Sequence, residues 1–359
     1  VWTYDLGGSR HRLELLLDDA ALARINYITG DVTDFAAVEQ AIVGNGITHV
    51  IHLAALQIPF VRANPVLGAQ VNLIGMANVL EAIKRHQEQI KGFSYASSFA
   101  VYGPPGAPTY QTASLYGVHK QAKEGMARVY WQDYGLSSIG LRPHTVYGPG
   151  RDQGMTSLPT KAMLAAAVGR SYHIGFGGNV LYHSANEVAG IFIKAATAGY
   201  QGAAAFDLGG INANMDAVVA AIEAAAPDVK GRITYDDKPL NVSAVADTAQ
   251  IESILGIKTW TPLDEGIQAT VEHFRRAAQA ARDSARARAE RRGRRLRLLV
   301  RAVRPGRPPF TLFAHAAPSL GDAADRRRDA LRPNPTAVPP PGVQRGRLRC
   351  AGAGARDSA

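Results

Sequence analysis

Tyr116 and Lys120 stand four residues apart at the start of a segment whose apolar positions, Val118, Ala122, Met126, Val129 and Tyr130, recur with helical period. On a helix both side chains therefore leave by the same face. Such a pair suits redox chemistry at a carbinol. A free tyrosine has a pKa of about 10, and a phenol that takes protons near neutral pH needs roughly 3 units, or about 4 kcal/mol, of preferential stabilisation of its anion. An ammonium one turn away supplies much of that. Just upstream, Ser97 and Ser98 end an apolar strand from Phe93 to Ala96 and offer a hydroxyl to hold the reacting oxygen. A Tyr-x-x-x-Lys spacing alone recurs by chance on many helices, so the weight falls on its neighbours.

Those neighbours arrive in a fixed order. Ser98 is followed by Val101-Tyr102-Gly103, then Tyr116-x-x-x-Lys120, then Leu141-Arg142-Pro143 and Val146-Tyr147-Gly148-Pro149-Gly150. From residue 1 to about 276 the chain resembles the extended short-chain dehydrogenase/reductase family, also called the NAD-dependent epimerase/dehydratase family. The resemblance implies an α/β fold, a Rossmann-type doubly wound parallel sheet with a smaller C-terminal substrate lobe. It implies NAD as cofactor and a homodimer built through two helices of each subunit. It makes Tyr116 the acid/base, Lys120 its activator and a ribose ligand, and Ser98 the hydroxyl donor, with a cationic nicotinamide further stabilising the phenolate.

Composition sets the broad class. The chain has 359 residues, 46% of them hydrophobic, and a net charge of +10. That charge is local: from Ala277 onward there are 19 Arg against 6 acidic residues, whereas the preceding body has 21 basic and 24 acidic ones. The body is mildly acidic and only the end is basic. One cysteine, Cys350, rules out a disulfide framework or a cysteine metal site and suits a reducing cytosol. There is no continuous apolar run of 18 residues and no signal-peptide pattern. The expectation is a soluble, cytoplasmic protein acting on a small molecule, with no membrane partner.

Three segments follow along the chain: 1–150, a dinucleotide-binding domain; 151–276, a substrate lobe whose strands return to the first part; and 277–359, an Arg/Ala/Pro-rich tail. Val1 to Asp5 reads as a strand with an acidic end, then comes the turn-prone Gly7-Gly8-Ser9 and a helical pattern from Leu13 to Leu22. A carboxylate at such a strand tip accepts hydrogen bonds from the adenosine ribose and repels a 2′-phosphate, so Asp5 selects NAD. The Gly-x-x-Gly-x-x-Gly turn that should precede it is missing from these first residues, and the expectation is a truncation of roughly 30 residues, one strand-turn-helix unit. Tyr27 to Thr29 is the next strand. The resemblance puts Asp31 and Val32 after it at the adenine, while Asp34 caps the helix from Phe35 to Val43. His49 to Ala55 is a continuous apolar strand of the kind buried in a parallel sheet; its end, Leu53, Ala54 and Ala55, lets a cofactor approach the backbone. A helix from about Val66 to His86 carries Asn72, which the resemblance places near the cofactor together with His144. It places Gln57, Ser98, Thr145 and Val180 at the substrate.

Two of these positions depart from nucleotide-sugar relatives. Where those carry an asparagine and an arginine that grip a diphosphate, this chain has Thr145 and Val180, and each lost charge-assisted bond is worth about 1.5–3 kcal/mol. Arg151, Lys161, Arg170 and His183 are available as replacements. The reading is therefore an NAD-dependent oxidoreductase moving hydride at a carbinol of a sugar or sugar-like substrate, with a UDP-sugar 4-epimerase as the alternative. A cofactor-sensing binding protein is a third possibility, disfavoured by the intact Ser98, Tyr116 and Lys120. The tail has no Lys, Ile, Tyr or Met and nine prolines, a composition that fits out-of-frame or read-through translation of GC-rich DNA better than a nucleic-acid arm. Neither implies a packed domain.

Overall fold

The computed structural model describes residues 1–7, 9–104, 111–240 and 246–289, with side chains to residue 283. Gly8 of the first turn and residues 290–359 of the expected tail lie outside the described residues. In chain order the first half contains β1 (Trp2–Asp5), α1 (His11–Leu16), α2 (Asp19–Leu22), β2 (Asn26–Thr29), α3 (Phe35–Val43), β3 (His49–His52), α4 (Ile58–Ala63), α5 (Pro65–Ala69), α6 (Gly75–Arg85), β4 (Gly92–Ala96), α7 (Leu115–Tyr134) and β5 (Ser138–Arg142). The second half adds β6 (Thr145–Tyr147), α8 (Leu158–Ala167), β7 (Tyr172–Ile174), β8 (Val180–Ser184), α9 (Ala185–Thr197), β9 (Ala203–Asp207), β10 (Ile211–Ala213), α10 (Met215–Ala225), β11 (Ile233–Tyr235), α11 (Ala249–Leu255) and α12 (Leu263–Ala289).

The principal sheet is parallel, in the order β3-β4-β5-β9, and β1 and β2 form a separate parallel pair. Side chains alternate across β4. Phe93 and Tyr95 join α3, α6 and α7 in one core, while Ser94 Oγ turns to the other face and donates to the Phe192 carbonyl of α9 at 3.0 Å. Ile139 and Leu141 of β5 pack on α9 with Val188, Ile191 and Phe192. Helices thus cover both faces, as a doubly wound sheet requires. Gly92 allows the close approach of α9: a methyl there would collide with the Ala196 carbonyl.

Local signals explain the element limits. Asp34 Oδ1 accepts Ala37 N–H at 3.1 Å and starts α3; Ser184 and Glu187 form a reciprocal capping box on α9; Gly135, at φ 69°, ends α7 in the left-handed conformation. The helix expected over 66–86 is interrupted by a π turn, Gln70–Ile74, which carries Asn72. By length and mean hydropathy, 1.4, the run Pro65–Arg85 is apolar enough to cross a membrane, a property the search for continuous apolar runs passes over. Its Met76, Val79, Leu80 and Ile83 are nonetheless buried in the core, each stabilising the fold by about 1.5–3 kcal/mol.

The second lobe has its own core, in which α8, α10 and α12 surround Tyr147, Ile174, Val180 and Tyr182. Helix α12 continues past Arg276, where the composition turns arginine-rich, to Ala289, with Ala278 only 7% exposed and Gln279 bonded to Asp283 at 2.9 Å.

Candidate active site

Ser114 caps the first turn of α7 by accepting Gly117 N–H at 3.1 Å and so starts the helix immediately before Tyr116. That turn sits hard against the short 3-10 turn Phe99–Val101 that follows Ser98. Thr112 Oγ1 donates to the Ala100 carbonyl at 2.7 Å and Gln121 Nε2 to the Val101 carbonyl at 2.7 Å. Gly117 permits the contact, since a methyl there would collide with both Thr112 and the Ala100 carbonyl. Lys120 is 2% exposed; its Nζ donates to the Ala96 carbonyl at 2.6 Å and lies 5.3 Å from the centre of the Tyr116 ring. Tyr116 and Ser98 are half-buried, and Ser98 Oγ accepts Ala100 N–H at 3.1 Å. The phenol, ammonium and hydroxyl expected to react are thus carried by two segments locked to each other at the carboxyl end of β4.

The other expected cofactor residues line the carboxyl ends of the parallel strands, where open α/β sheets bind their ligands. Asp5 is exposed at the end of β1; its Oδ1 accepts Gly7 N–H at 3.0 Å, and among the described residues Oδ2 has no partner. Asp31 accepts Thr33 N–H and Oγ1–H, both at 2.8 Å, which shapes the turn after β2, and the Val32 carbonyl accepts Asn78 Nδ2–H at 3.0 Å. Leu53 is 56% exposed beyond β3, although apolar, and is followed by Ala54 and Ala55. Asn72 is fully buried rather than facing an open cleft. Its carboxamide takes Leu56 N–H at 2.7 Å and gives to the Leu56 carbonyl at 3.0 Å, so the π turn aims it at the loop after β3 and holds that loop in shape. His144 donates its N–H to His183 Nε2 at 3.0 Å and lies 5.0 Å from the Phe99 ring, beside the Ser98 turn.

The residues present fit the ribose and adenine ends of a dinucleotide: a free carboxylate oxygen on Asp5, small side chains at the end of β3, and an ammonium on Lys120. A glycine-rich turn at a helix N-terminus, which would receive the pyrophosphate, is not among the described residues.

The expected substrate residues divide. Gln57 precedes α4 with its carboxamide against Gly154, where a methyl would collide with Gln57 Oε1 and stand 3.6 Å from Arg151 Nη2. Gln57 and Arg151 thus both flank Gly154 in the loop after Gly150. Thr145 and Val180 are both 0% exposed. Val180 fills the apolar core of the second lobe and Thr145 bonds the neighbouring His144 ring at 3.1 Å, so neither side chain offers surface to a ligand; motif spacing fixed their place along the chain but not which way a strand residue faces.

Sequence reasoning missed how Arg151 is placed. Its Nη1 donates to the Gln153 carbonyl at 2.6 Å and Nη2 to Thr156 at 3.0 Å, while Nε is buried and has no partner among the described residues. Burial lowers the pKa of its guanidinium, and the fields of Tyr116 and Asp152 push it back up. Lys161 is likewise lowered by burial, raised by Asp152 and lowered by Arg151. Arg12 reaches across from α1 and grips Asp152, Nη2 to Oδ1 at 2.8 Å. Three cations, Arg12, Arg151 and Lys161, thus surround Asp152, with Arg151 near the phenol. Also unassigned from sequence were Lys123, buried three residues after Lys120, and Glu124, one further turn along the same face; the i, i+4, i+8 series Tyr116, Lys120, Glu124 was the available signal.

Known proteins resemble this chain in sequence and in fold. UDP-glucuronate 4-epimerase 3 of Arabidopsis thaliana is 38% identical over 130 residues, which make up 34% of this chain and 30% of that protein. Protein CapI of Staphylococcus aureus is 37% identical over 108 residues, 28% of this chain and 32% of that protein. The chain thus spans about a third of the length of these curated relatives. Among solved structures, Thermus thermophilus UDP-glucose 4-epimerase in complex with NAD superposes with a TM-score of 0.64 at 26% identity, covering 77% of this chain and 91% of that one. L-threonine dehydrogenase from Phytophthora infestans, at 19% identity and a TM-score of 0.63 over 76% and 98% of the two chains, shares the fold. Residues 8–233 match the sequence profile of the NAD dependent epimerase/dehydratase family, and the chain belongs to that family.

Proposed function

We propose that the protein is an NAD-dependent 4-epimerase of a UDP-sugar that carries a carboxylate. The observation that carries the reading is Arg151: a half-buried guanidinium, fixed in the loop after Gly150 and close enough to Tyr116 to feel its field, has the charge to favour an anionic group on the sugar whose hydroxyl meets the phenol. The names of the relatives, UDP-glucuronate 4-epimerases among them, support the same substrate class.

In this reading Tyr116 Oη takes the proton of the sugar hydroxyl and later returns it, Lys120 favours the phenolate, and Ser98 Oγ donates to the reacting oxygen. Bound NAD supplies the hydride acceptor and, once reduced, the hydride donor. Asp5 would hold the adenosine ribose and Lys120 the nicotinamide ribose, with Asp31 and Val32 beside the adenine. Leu53, Ala54, Ala55 and His144 would wall the cofactor, and Asn72 acts by shaping the Leu56 loop. Exposed apolar side chains on neighbouring helices, Val66 and Ile74 with Leu115 and Val118 of α7, support a homodimer.

The burial of Val180 and Thr145, which leaves no diphosphate ligands at those two positions, favours the second reading, a dehydrogenase of a non-nucleotide carbinol. The two are separated by incubating the protein with UDP-glucuronate and NAD and following both the sugar, by proton NMR, and nicotinamide absorbance. Epimerisation should give UDP-galacturonate with no net absorbance change. Stoichiometric NADH, or an inert UDP-glucuronate, would refute it.

A further inference from the structure

The stripe on α7 that begins with Tyr116 and Lys120 continues, four residues on, to Glu124. The first two have roles in the reading above; the third does not. Its carboxylate accepts the Ser97 hydroxyl and a two-pronged bond from Arg142, Nε at 2.7 Å and Nη2 at 2.6 Å. Arg142, the last residue of β5, gives its remaining Nη1 to the Tyr102 hydroxyl at 2.9 Å and to Asp207 Oδ1 at 3.2 Å, and Tyr102 in turn donates to Asp207 at 2.9 Å. The ends of β4, β5 and β9, the turn after Ser98 and α7 thus share one network of five side chains.

The network reaches the reacting groups through Ser97, which is 2% exposed. The strand exit Ala96-Ser97-Ser98 is tied to α7 at two points one helical turn apart: Lys120 holds the Ala96 carbonyl and Glu124 holds the Ser97 hydroxyl. Ser97 N–H also bonds the Leu141 carbonyl at 2.8 Å. The next residue is Ser98. A buried ion pair is often no more stabilising than an apolar pair of the same volume, whereas a forked guanidinium-carboxylate contact fixes direction. Direction is what this site needs, because Ser98 and Tyr116 come from different elements and address one oxygen.

We infer that Glu124 is a positioning residue that sets Ser98 Oγ against Tyr116 Oη through Ser97, with Arg142 holding its carboxylate. The inference rests on the roles given above to Ser98 and Tyr116. Ser97→Ala tests it, because it removes the link and leaves the Glu124–Arg142 pair intact; Glu124→Ala, which strands a buried arginine, risks unfolding. In turnover of UDP-glucuronate, Ser97→Ala should lower kcat about 10- to 100-fold, the loss expected of a misplacement of order 1 Å, with KM and NAD affinity within about twofold. In a Ser98→Ala background the same change should cost less than about twofold, since its effect runs through Ser98. Amide exchange of residues 97–101 in the protein alone should quicken about tenfold in Ser97→Ala, while exchange in the β4–β5 ladder holds. Wild-type kcat in Ser97→Ala, an undiminished loss in the Ser98→Ala background, or unchanged exchange at 97–101 would overturn the inference. A wild-type protein inert to UDP-glucuronate would sink the substrate reading instead, and the exchange comparison would still decide this one.

Discussion

Lys123 offers a stability test that turns on a single buried charge. It is 0% exposed in the middle of α7, and among the described residues its Nζ finds only the Ala54 carbonyl, at 3.5 Å. No carboxylate pairs with it there. Burial pulls its pKa well below the ordinary lysine value, with Lys120 adding to the effect, and nearby His52 is also lowered well below its usual value, by burial first and then by Lys123 and Lys120. Lys123→Met keeps the length of the side chain and removes the ammonium. Removing it relieves the desolvation cost of an ammonium with no counter-charge beside it; even buried ion pairs gain about 1–4 kcal/mol on apolar replacement, and we expect about 2 kcal/mol here near neutral pH. At roughly 2–4 °C per kcal/mol, the melting temperature should rise by about 4 °C or more. The sign of the pH dependence is fixed. The unfolded lysine keeps its proton up to about pH 10.4 while the folded amine sheds it earlier, so the unfolded state binds more protons and wild-type stability falls as pH drops. The methionine variant lacks that term, and its advantage should widen from pH 9 toward pH 6. Thermal melts followed by circular dichroism across that range would read it. A variant that melts at or below wild type at every pH would refute the reasoning and show that the ammonium is compensated.

Further consequences follow from other groups. Burial, reinforced by His144, brings His183 down to about 3; because its unfolded value is about 6.5, the protein should lose about 1.4 kcal/mol per pH unit from this residue as pH falls from 6.5 toward 3, and a His183→Gln variant that keeps the same acid midpoint would contradict this. Asp5→Ala should narrow the preference for NAD over NADP, measured by titration calorimetry, because the repelling carboxylate is gone; an unchanged ratio would remove Asp5 from the ribose. Gly117→Ala should destabilise by about 1–3 kcal/mol and lower turnover together, since the added methyl drives α7 off the Ser98 turn, and denaturant melts with parallel kinetics would show whether the two losses travel together.

Much of this site is visible in the sequence because it depends on local rules. The i, i+4 pair Tyr116 and Lys120 needs only a helix, and Ser114 and Gly135 mark where that helix starts and stops. Asp5 ends β1, Asp31 and Ala54 lie just beyond β2 and β3, and strand ends are where a parallel sheet collects its ligands. What stayed hidden depends on facing and on long-range contact. Val180 alternates with its neighbours on a three-stranded sheet, and only the packing of α8, α10 and α12 turns it inward. Asn72 is turned inward by a π turn that no periodicity announces. Arg151 is held by Gln153 and Thr156 in a loop that Gln57, nearly a hundred residues earlier, reaches at Gly154, and whose shape rests on Gly150 and Gly154, at φ 86° and 83°. The continuation of α12 to Ala289 is hidden by a composition that turns arginine-rich before the helix ends.

The central claim, that Tyr116 moves the proton at a sugar hydroxyl, is tested most directly by Tyr116→Phe. Only a hydroxyl is lost and the ring still packs by Lys120, so NAD affinity by calorimetry should stay within about twofold. Turnover of UDP-glucuronate should fall by about 10²–10⁴, the range a positioned acid/base contributes. Full activity in Tyr116→Phe, with NAD bound as tightly as in wild type, would contradict the account.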